Sequence, residues 1–133
     1  MSLPPEFPRV PSLYGGVPYE YVAVAPAGAL VFTAGACPLD EDGEVVAPGD
    51  HEAQARCAVE NLRAALEAAG SGFEHVLKTT VYVAAAEGDA IVRTWDVVEK
   101  SFRPARPPST LLGVARLGYT GQLVEIEAVA IRA

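Results

Sequence analysis

Two carboxylates near the end of the chain have the spacing best suited to chemistry. Glu125 and Glu127 stand two apart in the run VEIEAVA, residues 124–130. Alternate side chains of a β-strand share a face, so both would lie on one face of a sheet. Buried together they would repel each other, so at least one needs a partner or access to water. One that reaches a wet cleft could position or deprotonate a water molecule. Alternatively, both are structural and pair with Lys78 or Arg116 on neighbouring strands.

The cysteines and histidines give weaker signals. Cys37 stands before Pro38 and could be a nucleophile, but a lone cysteine without a designated histidine favours a small buried apolar residue. Cys37 and Cys57 do not make a disulfide framework. His51 and His75 have no cysteine or carboxylate at ligand spacing, so we predict no metal site. Common cofactor and phosphate-binding motifs are missing from the sequence.

Composition limits the class of protein. A chain of 133 residues predicts a single domain over 1–133, with residues 1–18, rich in proline, as an N-terminal arm. Ten basic against 17 acidic residues give a net charge of −7, which argues against nucleic acid as a partner. No apolar run approaches the roughly 20 residues of a membrane span, so we predict no membrane partner. The first residues lack signal-peptide features and the cysteines are few, so we expect a cytoplasmic protein.

Two helices are signalled by their ends and by apolar spacing. Asp50 suits a helix start, and Gly70 suits the left-handed position after a helix. The second helix should run from about Asp89, a candidate cap, to Phe102, before the prolines that follow. Its expected buried stripe is Val92, Trp95, Val98 and Phe102.

The remaining apolar segments predict strands over 20–25, 29–34, 76–83, 110–117 and 122–132. The order β-β-α-β-α-β-β indicates an α+β domain with a mixed sheet and two helices on one face. The other face carries apolar as well as charged residues and would be half-dry in a monomer. We therefore expect an oligomer interface there.

Five segments form a specific series: GACPLD…GEVV (35–46), QAR…NL…LEAAG (54–70), VLKTTVYV (76–83), VARL (114–117) and VEIEAVA (124–130). In this order they resemble the RidA/YjgF family, also labelled endoribonuclease L-PSP, whose first segment reads SGQIPLD…GEVV. The resemblance covers about residues 20–132. It implies a chorismate-mutase-like fold and a homotrimer in which the sheets form a central barrel and small-molecule clefts lie between subunits. In the best-known branch these clefts hydrolyse enamines and imines such as 2-aminoacrylate without a cofactor.

The resemblance assigns roles residue by residue. Glu125 matches the family glutamate that positions the water. Gly35 matches the family glycine, and Ala34 stands where the family has serine, which removes a hydroxyl. The cleft tyrosine is Tyr21 without a gap, or Tyr19 with a two-residue insertion. The cleft asparagine falls at Trp95 or Arg93 and is absent in either alignment.

The largest departure concerns the arginine that clamps the substrate carboxylate. In the deaminase branch it lies in PARS, seven residues before the arginine of VARL. Counting back seven from Arg116 gives Ser109, followed by Thr110, whereas Pro104-Ala105-Arg106 looks like the motif but stands three residues too early. A three-residue slip would reverse the sheet face that the side chain meets. Arg106 would then reach the cleft only from the preceding loop.

The resemblance and these departures together predict a cofactor-free hydrolase of an imine, enamine or related compound. Activity toward 2-aminoacrylate should be weak or absent, in a more apolar cleft formed by Tyr21, Trp95, Ser109, Thr110 and Glu125. One alternative is a non-catalytic ligand-binding or regulatory trimer. The ribonuclease or translation-inhibitor role attached to the family label ranks below both because of the charge.

Overall fold

A computed structural model describes residues 3–133. Its elements in chain order are β1 (Leu30–Phe32), α1 (His51–Ala68), a 3-10 turn (Phe73–His75), β2 (Val76–Ala84), α2 (Gly88–Phe102), β3 (Ser109–Val114) and β4 (Val124–Ile131).

The four strands form one mixed sheet in the order β1-β4-β2-β3. β2 and β3 are parallel and are joined by the crossover helix α2, while β4 runs antiparallel to both β1 and β2. The register places Tyr82 opposite Glu125 and Thr80 opposite Glu127. The two carboxylates of β4 therefore share one face with alternate residues of β2, as their spacing predicts.

Both helices cover the other face of the sheet. α1 contacts β4, α2 contacts β2 and β3, and the helices contact each other. Along β4 the buried residues Val124, Ile126, Ala128 and Ala130 point into this core, while Glu125 and Glu127 between them are half-buried. The predicted α+β class, with a mixed sheet and two helices on one face, is confirmed. The face that carries the carboxylates, called here the open face, has no helix on it within residues 3–133.

The ends of α1 follow the sequence signals, whereas those of α2 do so only in part. Asp50 caps α1 by accepting a hydrogen bond from the Ala53 amide at 3.0 Å. Gly70 has φ +75°, the left-handed conformation that glycine adopts without strain. In α2 the capping position is Glu87 and Asp89 lies inside the first turn, so the prediction of Asp89 as the cap is wrong.

The buried stripe of α2 also differs from the prediction. Val92 is 64% exposed, and Trp95 is half-buried. The buried positions are Ala90, Thr94, Val98 and Phe102. Thr94 can be buried because its hydroxyl donates to the Ala90 carbonyl at 2.8 Å, one turn earlier. A polar residue that satisfies itself within its own helix does not stand out in an apolar pattern.

The strand predicted over 20–25 is absent, so the order is β-α-β-α-β-β. Only Val24 is paired there, in an isolated bridge to Glu6 of the N-terminal arm. The Glu20 amide donates to the Arg106 carbonyl at 2.8 Å, so this segment is held by the loop before β3. Residues 20–25 do alternate, but the backbone partners of this segment lie in the arm and in the loop before β3. It does not form a hairpin with β1.

Within residues 3–133, no helix is both long enough and apolar enough to cross a membrane.

Candidate functional site

Glu125 lies on the open face, where two neutral side chains hold one of its carboxylate oxygens. The Cys37 thiol donates to Oε1 with Sγ at 3.2 Å, and the Gln122 amide nitrogen donates to the same oxygen at 3.1 Å. Gln122 is itself almost fully buried and also donates to the Val124 carbonyl at 3.1 Å. Both donors therefore come from the segments that lead into and run beside β4.

A local irregularity in the backbone brings residue 35 against this carboxylate. The Thr33 amide donates to the Ala128 carbonyl at 3.0 Å, and the Ala36 amide to the Ile126 carbonyl at 2.7 Å. Residues 34 and 35 thus lie opposite a single residue of β4, the arrangement of a β-bulge. The bulge explains why β1 ends after Phe32.

Glycine at the bulge leaves room for the carboxylate of Glu125. A Cβ added to Gly35 would lie 2.2 Å from Oε2 of Glu125 and 2.5 Å from its carboxyl carbon. Ala34, which precedes it, is exposed. The structure therefore brings Gly35 into direct contact with the predicted catalytic carboxylate.

The Cys37 thiol is a poor nucleophile in this position. Burial, followed by its hydrogen bond to Glu125 and the charge of that carboxylate, raises the pKa of the thiol to about 11. At neutral pH it keeps its proton, and only the thiolate is strongly nucleophilic. The sequence favoured a small buried apolar role for Cys37, whereas in the structure its thiol donates a hydrogen bond to Glu125.

Glu127, two residues further along β4, has a different partner. The Tyr82 hydroxyl donates to its Oε1, and this hydrogen bond, more than burial, raises the pKa of Tyr82. Lys78 donates instead to the Thr110 hydroxyl on the neighbouring strand. Among residues 3–133, Glu125 and Glu127 form no ion pair, so pairing with Lys78 or Arg116 is not what holds them.

Other predicted site residues meet at a crevice between α2 and the start of β3. Trp95, Arg106 and Ser109 line it, with Pro18 of the arm. The hydroxyl of Ser109 lies 2.5 Å from that of buried Thr79, so Ser109 points toward the helices. It therefore lies on the face of the sheet opposite to Glu125.

Arg106 and the two candidate tyrosines lie beside this crevice. The Arg106 guanidinium donates to the Val17 carbonyl of the arm. The ring of Tyr19 packs edge-on against Trp95 with centroids 6.4 Å apart and against Tyr21 at 5.7 Å. Tyr21 is exposed, and its hydroxyl donates to the arm rather than to Glu125.

The predicted residues therefore form two groups within one chain. Gly35 and Glu125 are together on the open face, and exposed Ala34 precedes Gly35 in the chain. The other group is Tyr21, Trp95, Arg106 and Ser109 at the edge of α2, while Thr110 is exposed beside Lys78.

Sequence reasoning missed Gln122 entirely and missed the role of Cys37 as a donor. Gln122 is a lone amide in a loop, and no residue-type pattern links it to a carboxylate three positions later. Its function is visible only because the loop folds back, with the Tyr119 amide donating to Gln122 Oε1 at 3.1 Å.

The histidines lie apart from both groups. His51 Nε2 is 2.9 Å from the Ala84 carbonyl oxygen, and His75 Nδ1 is 3.3 Å from the Glu74 carboxylate. In the part of the chain that the structure describes, no three His, Cys, Asp or Glu side chains are grouped so that they could hold a metal ion.

The fold of this chain has structural relatives. A Rid-family protein of unknown function from Yersinia pestis superimposes with a TM-score of 0.89, covering 97% of this chain and 99% of that one at 23% identity, which shows the fold.

Sequence comparison identifies the family. The endoribonuclease L-PSP family model matches residues 16–132. Protein DfrA of Myxococcus xanthus is 35% identical over 114 residues, covering 86% of this chain and 85% of its own. A 2-iminobutanoate/2-iminopropanoate deaminase of Salmonella typhimurium is 36% identical over 113 residues, covering 84% and 87%. The chain belongs to the endoribonuclease L-PSP family, which is the RidA/YjgF family.

Proposed function

We propose that this protein is a cofactor-free hydrolase of a small imine or enamine, acting in clefts between the subunits of a homotrimer. The state of Glu125 carries the proposal. Its carboxylate has no cationic partner within residues 3–133, two neutral donors hold Oε1, and Oε2 accepts no hydrogen bond from those residues. A carboxylate fixed through one oxygen keeps the other available to accept a proton from water.

The reaction that fits this geometry is water addition to a C=N bond. Oε2 accepts a proton as the water oxygen bonds to the imine carbon and the C=N π electrons move to nitrogen. Oε2 then returns this proton to the nitrogen, and the resulting carbinolamine collapses to a carbonyl compound and ammonia as its hydroxyl proton passes to the nitrogen. The balance is one imine plus one water to one carbonyl compound plus one ammonia. Relatives named as 2-imino acid deaminases support this chemistry for the family.

The trimer is proposed because one chain holds only separated halves of the expected cleft. Glu125 and Gly35 lie on the open face, whereas Trp95 and Ser109 lie on the helix side of the sheet edge. A cleft between two copies could bring one group of each kind together.

We propose weak or absent activity toward 2-aminoacrylate because the usual carboxylate clamp is missing. Ser109 occupies the arginine position, and Arg106 is engaged with the N-terminal arm. A hydrogen bond to a charged group is worth roughly 1.5–3 kcal/mol, so the loss should cost roughly ten- to a hundredfold in transition-state binding. Ala34 removes a further hydroxyl.

The test is release of ammonia and 2-oxo acid from enzymatically generated 2-aminoacrylate and from bulkier imino acids. We expect higher turnover with the bulkier compounds, and its loss in Glu125→Gln but not in the surface control Glu60→Gln. Arg106→Ala should leave turnover near that of the control Arg56→Ala. Loss of activity in Arg106→Ala would mean that Arg106 replaces the clamp after all.

Turnover that survives Glu125→Gln would refute the catalytic assignment. No turnover with any imino acid, together with saturable binding of a 2-oxo acid, would favour a non-catalytic ligand-binding trimer. This second function is considered because Ser109 replaces the clamp arginine and Ala34 replaces the family serine.

A further inference from the structure

Glu125 is held asymmetrically, and the asymmetry distinguishes its two oxygens. Oε1 accepts from Cys37 at 3.2 Å and from Gln122 at 3.1 Å. Oε2 occupies the space that a Cβ on Gly35 would take and accepts no hydrogen bond within residues 3–133. With both of its near donors on Oε1, this carboxylate can turn only by breaking two hydrogen bonds.

We propose that Cys37 is a positioning residue that, together with Gln122, fixes Oε1 of Glu125 and thereby makes Oε2 the oxygen that contacts water and ligand. This inference rests on the proposed function for its catalytic consequence. The contact between the thiol and the carboxylate can be tested without any turnover.

The geometry favours Glu125 as the acceptor of the Cys37 proton. The alternative acceptor, the Gly35 carbonyl oxygen, is farther away at 3.5 Å. A thiol has one proton to donate, and an ionised carboxylate is the stronger acceptor. The high pKa of Cys37 agrees with a thiol that keeps this proton over the whole physiological range.

The backbone also holds Cys37 in place on the other side. The Asn61 amide nitrogen of α1 donates to the Cys37 carbonyl at 2.8 Å and to the Leu39 carbonyl at 3.1 Å. Pro38, the next residue, is buried and fixes its own φ. The thiol therefore projects from an anchored segment, which suits a group that must orient another.

Gln122 is the second donor to the same oxygen of Glu125. Its oxygen accepts from the Tyr119 amide at 3.1 Å, which fixes its nitrogen toward Glu125 and the Val124 carbonyl. Two donors from different segments define the plane of a carboxylate better than either does alone. Each is expected to contribute separately to turnover.

The first experiment follows alkylation of Cys37 by iodoacetamide from pH 7 to 11, with each cysteine quantified by mass spectrometry. In Glu125→Gln the Cys37 pKa should fall, because its hydrogen bond to a charged carboxylate is lost, while burial keeps it above the ordinary value. At pH 9 the rate should rise by about tenfold for each pKa unit lost. Cys57 in the same samples is the internal control and should react unchanged.

The second experiment compares turnover in Cys37→Ala and Cys37→Ser. Ala removes the donor and should lower kcat by roughly tenfold, with little change in KM. Ser keeps a donor and should recover most of kcat. Cys57→Ser, which changes a thiol away from Glu125, should retain the activity of the wild type. Crystal structures of wild type and Cys37→Ala should show ordered water or ligand on Oε2 in the first and a rotated carboxylate in the second.

The outcomes separate the two proposals. If Cys37 alkylation has the same pH dependence in Glu125→Gln and wild type, the positioning contact does not exist. If the alkylation changes as expected but the wild type hydrolyses no imino acid, the contact stands and the hydrolase proposal fails. Equal kcat in Cys37→Ala, Cys37→Ser and an active wild type would overturn the positioning role.

Discussion

At the scale of single residues, Gly35 leaves room for the carboxylate of Glu125. Alanine at position 35 would place its Cβ 2.2 Å from Oε2, so the carboxylate or the bulge must move. A displacement of about 1 Å of a catalytic group can cost about a hundredfold in rate. We expect Gly35→Ala to lower kcat by about that factor in steady-state assays of imino acid hydrolysis.

Gly118→Ala is the matched control, because a Cβ there has no atom within 4 Å. It should keep both turnover and melting temperature. If Gly35→Ala folds with an unchanged kcat, the carboxylate at its side is not the catalytic group.

Cys37 also predicts a pH dependence of stability. In the folded chain burial and Glu125 raise the thiol pKa from 9.0 to about 11, so the unfolded state loses this proton first. The stabilisation is therefore fully present below about pH 9 and is lost as the pH rises toward about 11. Urea unfolding from pH 7 to 11 should show a shallower decline above pH 9 in Cys37→Ser than in wild type.

The two stability curves should run parallel below pH 8, where the thiol is protonated in both states. Identical slopes above pH 9 would show that the folded environment does not perturb this thiol.

At the scale of elements, Gln54 connects α1 to the loop that leads into β4. It is fully buried, its nitrogen donates to the Gly121 carbonyl at 3.1 Å, and its oxygen accepts from the Leu123 amide at 2.8 Å. Gln54→Ala should reduce the free energy of unfolding by about 2–4 kcal/mol, since it leaves a cavity and an unpaired buried amide. Urea denaturation measures the difference.

Gln54→Met separates the two contributions because it keeps most of the volume and removes the hydrogen bonds. It should still lose about 1–3 kcal/mol. A variant as stable as the wild type would mean that packing alone holds the loop. Because Gln122 lies in the same loop, both variants should also lower turnover.

Local signals predicted the elements whose causes are local. Asp50 and Gly70 mark the ends of α1 because capping depends on neighbouring amides and on one backbone conformation. The alternation of apolar and charged residues in 124–130 correctly predicted that Glu125 and Glu127 share one face of the sheet, because side-chain direction along a strand is also a local property. The resemblance to the family aligned Glu125 with the family glutamate, and the structural relatives confirm the fold.

Features that depend on distant partners could not be predicted. Val24 lies in an alternating segment, but its partner is Glu6, and no local signal distinguishes that bridge from a hairpin. The bulge at Gly35 depends on the pairing of two segments about 90 residues apart. Gln122 is positioned by a loop whose fold has no periodicity.

At the scale of the molecule, the open face combines apolar exposure with satisfied polar groups. Phe32 is 72% exposed, Leu30 53% and Leu112 42%, while Tyr82 and Glu127 are already bonded to each other. Apolar side chains grouped on one sheet face are typical of an interface. Hydrogen-bonded polar groups among them could be covered without leaving unpaired donors. The face is therefore suited to association with further copies of the chain.

Phe32→Glu tests this association, because it replaces the most exposed of these apolar side chains with a charge beside Glu127. The wild type should sediment at three times the 13.9 kDa chain mass, and the variant at one. Val92→Glu is the control, since Val92 is 64% exposed on α2, away from the open face. This variant should remain trimeric.

If clefts between subunits carry the activity, monomeric Phe32→Glu should also lose turnover although each chain retains Glu125, Cys37 and Gln122. If the wild type sediments as a monomer, the proposed intersubunit cleft does not exist. Imino acid hydrolysis would then have to be explained by the residues around Glu125 in one chain.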